Sequence, residues 1–257
     1  MSYDEIDPEL YDRRHELIPR EGYLYEHWIP LVEKAIGKYC SNKSTGLDLG
    51  CGTGTNFSPL LKKEMDNVIG LDLSIVFLKH GKKRDKNLDL IQGDAHRLPL
   101  KNESINVVIS NLFEFVDRNI VVKEIYTILK NDGICIVLTL NKYSACAMPS
   151  KIIMRLLHKK RDKNEASKKE LVNIFKKVGF ELIEYKMDDG LIWLPDFLDR
   201  SVGKRIYYLI ESFFKTFGKN PFSNAMLFVV RKENHATEDE EEIISRRITK
   251  RGGDEHG

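Results

Sequence analysis

The 257-residue chain is short of several things, and each shortage excludes a class of protein. It has only four cysteines, Cys40, Cys51, Cys135 and Cys146, with no Cys-x-x-Cys pair and no histidine near them at ligand spacing. Neither a disulfide framework nor a structural zinc site is expected, and no metal is predicted. Charge of one sign is also lacking: 41 Lys and Arg stand against 39 Asp and Glu, a net charge of +2. That is a poor footprint for a chain whose main partner is a nucleic acid. No apolar run is long enough to span a bilayer, and Met1-Ser2-Tyr3-Asp4-Glu5 is polar and acidic where a signal peptide begins basic. The expectation is a reduced, cytoplasmic protein. Its apolar content of 42% is ordinary, so one large domain with a sizeable core is within reach.

What is present is organised around Gly46-Leu47-Asp48-Leu49-Gly50-Cys51-Gly52-Thr53-Gly54-Thr55-Asn56. The alternation of Leu47 and Leu49 reads as the end of a buried strand. It runs into three glycines at every second position and then into a helical stretch around Phe57 to Met65. Glycines there let the backbone turn sharply and leave bare N–H groups against which a ligand can lie. Asp48 sits on the strand two residues before the first glycine. A second acid, Asp72, closes the next apolar run, Val68-Ile69-Gly70-Leu71, at the distance of a ribose-binding acid.

These residues resemble the class I S-adenosylmethionine (SAM) dependent methyltransferases, in particular the type 11 group of small, ubiquinone-biosynthesis-like members. The family's acid followed by Gly-x-Gly-x-Gly is matched by Asp48, Gly50, Gly52 and Gly54, its acid closing strand two by Asp72, and its Gly-Asp-Ala-x-x-Leu-Pro by Gly93-Asp94-Ala95-His96-Arg97-Leu98-Pro99. The resemblance implies SAM as cofactor. It implies that Gly50, Cys51, Gly52 and Gly54 form the turn against it and that Asp48 meets its amino group. Asp72 would take the ribose hydroxyls, Leu73 flank the adenine, Asp94 and the Ala95 amide meet the adenine edge, and Asn111 line the methionine end. His96 is expected to face the surface rather than act as a base, and no catalytic residue is assigned.

The rest of the chain alternates strand and helix patterns, the mark of a parallel sheet covered on both faces. The expected fold is a seven-stranded doubly wound α/β sheet of Rossmann-like type, with the last strand, Met226 to Val230, antiparallel as in the resembling family. Residues 1–45 form an arm carrying Tyr11, Tyr23 and Tyr25, with a helix whose first turn holds Pro30. In the family such a segment closes over the cofactor. The methyltransferase domain is 46–232, with two insertions, 141–167 and 188–224, long enough to form a helical cap. The first interleaves Ile152, Ile153, Met154, Leu156 and Leu157 with Lys151, Arg155, Lys159, Lys160 and Arg161, a basic amphipathic pattern suited to an anionic membrane or a phosphate. The second spaces Ile206, Leu209, Ile210, Phe213, Phe214 and Phe217 as one helix face, expected to pack on the core. Residues 233–257 carry Glu238-Asp239-Glu240-Glu241-Glu242 and read as a charged, disordered tail.

Three rivals are weighed. A nicotinamide cofactor wants a glycine where Thr55 stands. A tRNA or protein methyltransferase would use the basic cap, yet Ser110-Asn111-Leu112-Phe113 replaces the Pro-Pro-Tyr motif of amino-group methylation on adenine or glutamine. A catalytically silent interaction module would leave Asp48 and Asp72 without a purpose. Methyl transfer from SAM to a small-molecule or lipid-like acceptor, by O-, N- or C-methylation, is the reading that uses every motif, with S-adenosylhomocysteine released. His27 and His158 read as surface or packing histidines. Oligomeric state is not legible.

Overall fold

The computed structural model describes residues 6–40, 44–143, 165–187, 203–215 and 225–233. The basic segment 151–161, His158, Cys146, Phe217 and the acidic tail lie outside them. Seven strands form one sheet: β1 (Thr45–Leu49), β2 (Asn67–Asp72), β3 (Asp89–Gln92), β4 (Ile105–Ser110), β5 (Leu129–Leu140), β6 (Phe180–Met187) and β7 (Ala225–Lys232). Their spatial order is β3-β2-β1-β4-β5-β7-β6. β7 runs antiparallel to both β5 and β6, while the pairings among β1 to β5 are parallel. The sheet is the doubly wound one expected from the sequence.

β4 and β5 are buried on both faces because they are covered from both sides, which is why they read as continuous β-branched runs. One face is filled by α6 (Arg118–Ile128) and α7 (Lys168–Val178), through Val121, Val122, Ile125, Leu171 and Phe175. The other is filled by α3 (Pro19–Tyr39) and α4 (Ser58–Glu64), through Val32, Ala35, Ile36, Leu60 and Leu61. α5 (Ile75–Arg84) follows β2. Local chemistry sets the helix ends: Ser74, Asp117 and Ser167 accept backbone N–H bonds at the starts of α5, α6 and α7. Gly179 closes α7 in the left-handed region at φ 103°.

Three details differ from the sequence reading. α3 begins at Pro19, not near Pro30, which lies inside the helix. A proline suits the first position, where its missing N–H costs nothing. Pro30, exposed on the solvent side, removes one interior bond that the buried face of Val32, Ala35 and Ile36 outweighs. β5 starts at Leu129 rather than with the apolar run of Ile134 to Leu140 that reads as the strand in the sequence, because Leu129 already pairs with Ile105 before the chain kinks through Asp132 at φ 60°. Finally, α8 (Lys204–Lys215) packs on α3 rather than on the sheet. Buried Tyr207 meets Tyr23 at 5.5 Å between ring centroids, and Lys204 pairs with Glu26 at 2.7 Å. Two short helices, α1 (Pro8–Asp12) and α2 (Arg14–Leu17), precede α3. Among the described residues no helix is long and apolar enough to cross a membrane.

The core beneath α7 is aromatic. Phe175 lies 6.0 Å from Phe113, 5.6 Å from Phe180 and 6.4 Å from Phe228, ring centre to ring centre. Phe175→Ala empties that junction and should cost about 4 kcal/mol, read as a lowered urea midpoint with an unchanged slope.

Candidate cofactor site

β1 is the switch point of the sheet: its neighbours β2 and β4 carry the chain away to opposite sides, leaving a crevice beyond its C-terminal end. The turn that leaves β1 folds back on β2, where the Gly50 and Cys51 amides both donate to the Leu71 carbonyl, at 2.8 and 3.1 Å. Gly50, Gly52 and Gly54 hold φ values of +80°, +57° and +71°, a region L-residues avoid. At Gly50 space is the second constraint, since a Cβ would stand 2.5 Å from Leu112 of the loop after β4.

The crevice is a cavity of about 470 Å³. Of the ten residues expected to bind the cofactor, Gly50, Gly52, Asp72, Leu73, Asp94, Ala95 and Asn111 line it. Asp48, Cys51 and Gly54 are not among its lining residues. The Cys51 thiol is buried, which pushes its pKa up and leaves it protonated. Sequence reasoning missed Phe77, Leu112, Phe115 and Val116, which supply apolar wall. It also missed that His96 reaches the cavity. Tyr11 had no signal beyond being an aromatic in the arm, yet its side chain lines the cavity too.

The two acids differ in character. Asp72 is fixed by backbone: Gly52 N–H donates to Oδ2 at 2.8 Å and Ser74 N–H to Oδ1 at 2.9 Å. Each oxygen keeps lone pairs, so the group is an anchored acceptor at the cavity wall. Asp48 is only 2% exposed and takes the Ser58 hydroxyl at 2.6 Å. Burial pushes its pKa up to about 6, against the lowering effect of the Ser58 donors; the Asp72 charge adds a smaller push.

The arm is latched over this turn. The Tyr11 ring stands 4.8 Å from Phe77, and the Arg14 guanidinium lies 3.7 Å from the Tyr11 ring centre. Asp12, next along, accepts from the Thr53 hydroxyl and pairs with Arg84 at 2.9 Å. Arg84 also donates to the Thr53 carbonyl at 2.9 Å, so arm, turn and α5 share one network. Behind the opposite wall, buried Glu114 accepts the Leu140 N–H at 2.5 Å. Buried Arg118 donates to the Phe113 carbonyl at 2.9 Å and to Glu170 at 2.7 Å. These bonds tie the loop after β4 to β5 and α7. Among the described residues no cluster of His, Cys, Asp or Glu could hold a metal ion.

Residues 47–137 match the family model described as a methyltransferase domain. The chain is 28% identical to a ubiquinone/menaquinone biosynthesis C-methyltransferase from Campylobacter jejuni over 184 residues, 60% of this chain and 77% of that protein. It is 34% identical to a demethylmenaquinone methyltransferase from Renibacterium salmoninarum over 106 residues, 41% of this chain and 42% of that protein. Among solved structures, geranyl diphosphate C-methyltransferase from Streptomyces coelicolor, complexed with S-adenosyl-L-homocysteine, superposes with a TM-score of 0.58. That match is 14% identical and covers 79% of this chain and 80% of the other, so it speaks for the fold. The matched region, the fold and the named relatives together support a SAM-dependent methyltransferase domain of class I type over residues 47–137, with SAM as the cofactor.

A buried acid with a raised pKa has a definite linkage. Folded Asp48 holds its proton up to about pH 6 while the unfolded carboxyl loses it near 3.8, so the folded state binds more protons between those values. In the absence of ligand, stability relative to Asp48→Asn should therefore fall by about 2 kcal/mol as pH rises from 4 to 6.5, then level off. Urea unfolding of both proteins across that range checks it; a difference that does not change with pH contradicts the assignment.

Proposed function

We propose that this protein transfers the SAM methyl group to a small, apolar or lipid-like acceptor and releases S-adenosylhomocysteine. One observation carries the reading: the cavity joins an anchored acceptor, Asp72 beside the glycine turn, to an apolar wall of Leu112, Phe115 and Val116. In this reading Asp72 accepts from both ribose hydroxyls. Leu73 lies on the adenine, Asp94 and the Ala95 amide meet its edge, and Asn111 borders the methionine chain. Gly50, Cys51, Gly52 and Gly54 let the backbone approach. By the resemblance, Asp48 behind the cavity wall would meet the SAM ammonium directly or through water, which would offset part of the cost of burying that carboxylate.

The chemistry asks little more. When bound, SAM would supply an activated methyl group on a good thioether leaving group, and the cavity residues would hold it toward the acceptor. Alignment therefore contributes most. No general base is assigned. Residues 1–45 act as the arm over the cofactor and 46–232 as the catalytic domain. The relatives named for quinone and isoprenoid-diphosphate methylation support an acceptor with a long apolar part. The exposed Ile206, Leu209 and Phe213 of α8 support peripheral contact with a lipid surface, which the basic segment 151–161 would reinforce.

The test is incubation with tritium-labelled SAM and, separately, quinone precursors, isoprenoid diphosphates, RNA and protein. Label should enter an organic-soluble product with equimolar S-adenosylhomocysteine, and Asp72→Asn should raise KM for SAM roughly 30- to 150-fold, the loss of about 2–3 kcal/mol of charged hydrogen bonding. Label appearing only in RNA or protein contradicts the acceptor class.

A further inference from the structure

His96 belongs to no role yet described, and its surroundings are unusually definite. Its backbone N–H donates to Asp94 Oδ1 at 2.9 Å, and its ring Nδ1 lies 2.7 Å from the same oxygen. Its Nε2 lies 3.1 Å from the backbone nitrogen of Asp117. A peptide N–H can only donate, so Nε2 is the bare nitrogen and the proton sits on Nδ1, aimed at Asp94. The two contacts select one tautomer.

The topology makes this pairing unusual. Asp94 follows β3 and Asp117 follows β4, and β2 and β1 lie between those strands, roughly 14 Å across at three strand spacings. Beyond the ends of the strands the imidazole joins the two sides of the crevice. One side carries Asp94 and Ala95; the other is the loop of Asn111, Leu112, Phe115 and Val116, which ends on Asp117. Asp117 is not free to move, because its side chain caps α6 at Asn119 N. A second tie, Leu98 N–H to Glu124 at 2.8 Å, steadies the same turn from α6 but does not reach the cavity.

We infer that His96 is a positioning residue for the adenine end of the cofactor. Its Nδ1–H holds Asp94 in one rotamer as an acceptor, and its Nε2 keeps the opposite wall at a fixed distance. This rests on the cavity being the SAM site. With Oδ1 taken by two donors, the remaining Asp94 oxygen recognises a hydrogen-bond donor and repels an acceptor. The two His96 donors also keep the Asp94 carboxyl below the ordinary carboxylate range, backbone first, so that it stays an acceptor. The chemical consequence is selection of a 6-amino purine over a 6-oxo purine.

The experiment measures affinity for S-adenosylhomocysteine and for S-inosylhomocysteine, its 6-oxo analogue, in wild type, His96→Ala and His96→Asn. Wild type should prefer the amino ligand strongly. His96→Ala should bind S-adenosylhomocysteine about tenfold more weakly and narrow the preference at least about fivefold, with an apo unfolding midpoint close to that of wild type. His96→Asn, whose amide N–H can stand where Nδ1–H stood, should keep the preference while losing part of the affinity. The inference is overturned if His96→Ala binds within twofold of wild type, if its preference is intact, or if His96→Asn loses the preference as fully as the alanine variant does. Failure of the wild type to bind either ligand overturns the cofactor reading itself, which separates the two.

Discussion

Backbone left bare at the end of β1 is the constraint on which the rest of the domain depends. The chain leaves β1 through residues at positive φ, with Leu112 standing where a Cβ on Gly50 would go. The amides freed by that path are used at once. Two bond the Leu71 carbonyl and a third bonds Asp72, so the same turn that exposes backbone to the cavity also orients the acid opposite it. The strand order places this turn at the switch-point crevice of the parallel strands β1 to β5, between packed faces on either side.

Around that turn the protein accepts local costs. Asp48 is buried with only neutral donors from Ser58, its hydroxyl and its backbone N–H, among the described residues, and the Asp72 charge raises its pKa further. Folding alone gains nothing from a carboxylate in that place. The arrangement makes sense as a site whose electrostatics are completed by a cation, which is what SAM carries at both its ammonium and its sulfonium. The arm follows the same logic from outside. Asp12 reaches the Thr53 hydroxyl and Arg84, so Tyr11 is held at the cavity by a polar network as well as by its ring contact with Phe77.

Much of the sheet was legible in the sequence because its cues are local. Leu47 and Leu49, the β-branched run of β4, the Ser74 cap and Gly179 each announce a backbone state without knowledge of the partner. The motif acids were legible because their spacing from the glycines follows from one strand, one helix and a return. What was not legible depends on contacts between distant segments. Pro30 looks like a helix start until Pro19 and the buried face behind it are taken together. Tyr11 is one aromatic among several until Asp12 finds Arg84, 72 residues on. His96 reads as a surface residue because its second partner, the Asp117 amide, comes from the far side of the crevice. α8 has an amphipathic pattern that says it packs, but not that it packs on α3 and leaves Leu209 69% exposed.

The most direct measurement of the account is calorimetric titration of the purified protein with S-adenosylhomocysteine and, in parallel, with NAD. The account predicts one saturable site for the sulfur ligand and none for the dinucleotide, since Thr55 stands where the dinucleotide turn needs glycine. No heat with S-adenosylhomocysteine, or a saturable site for NAD, would contradict it.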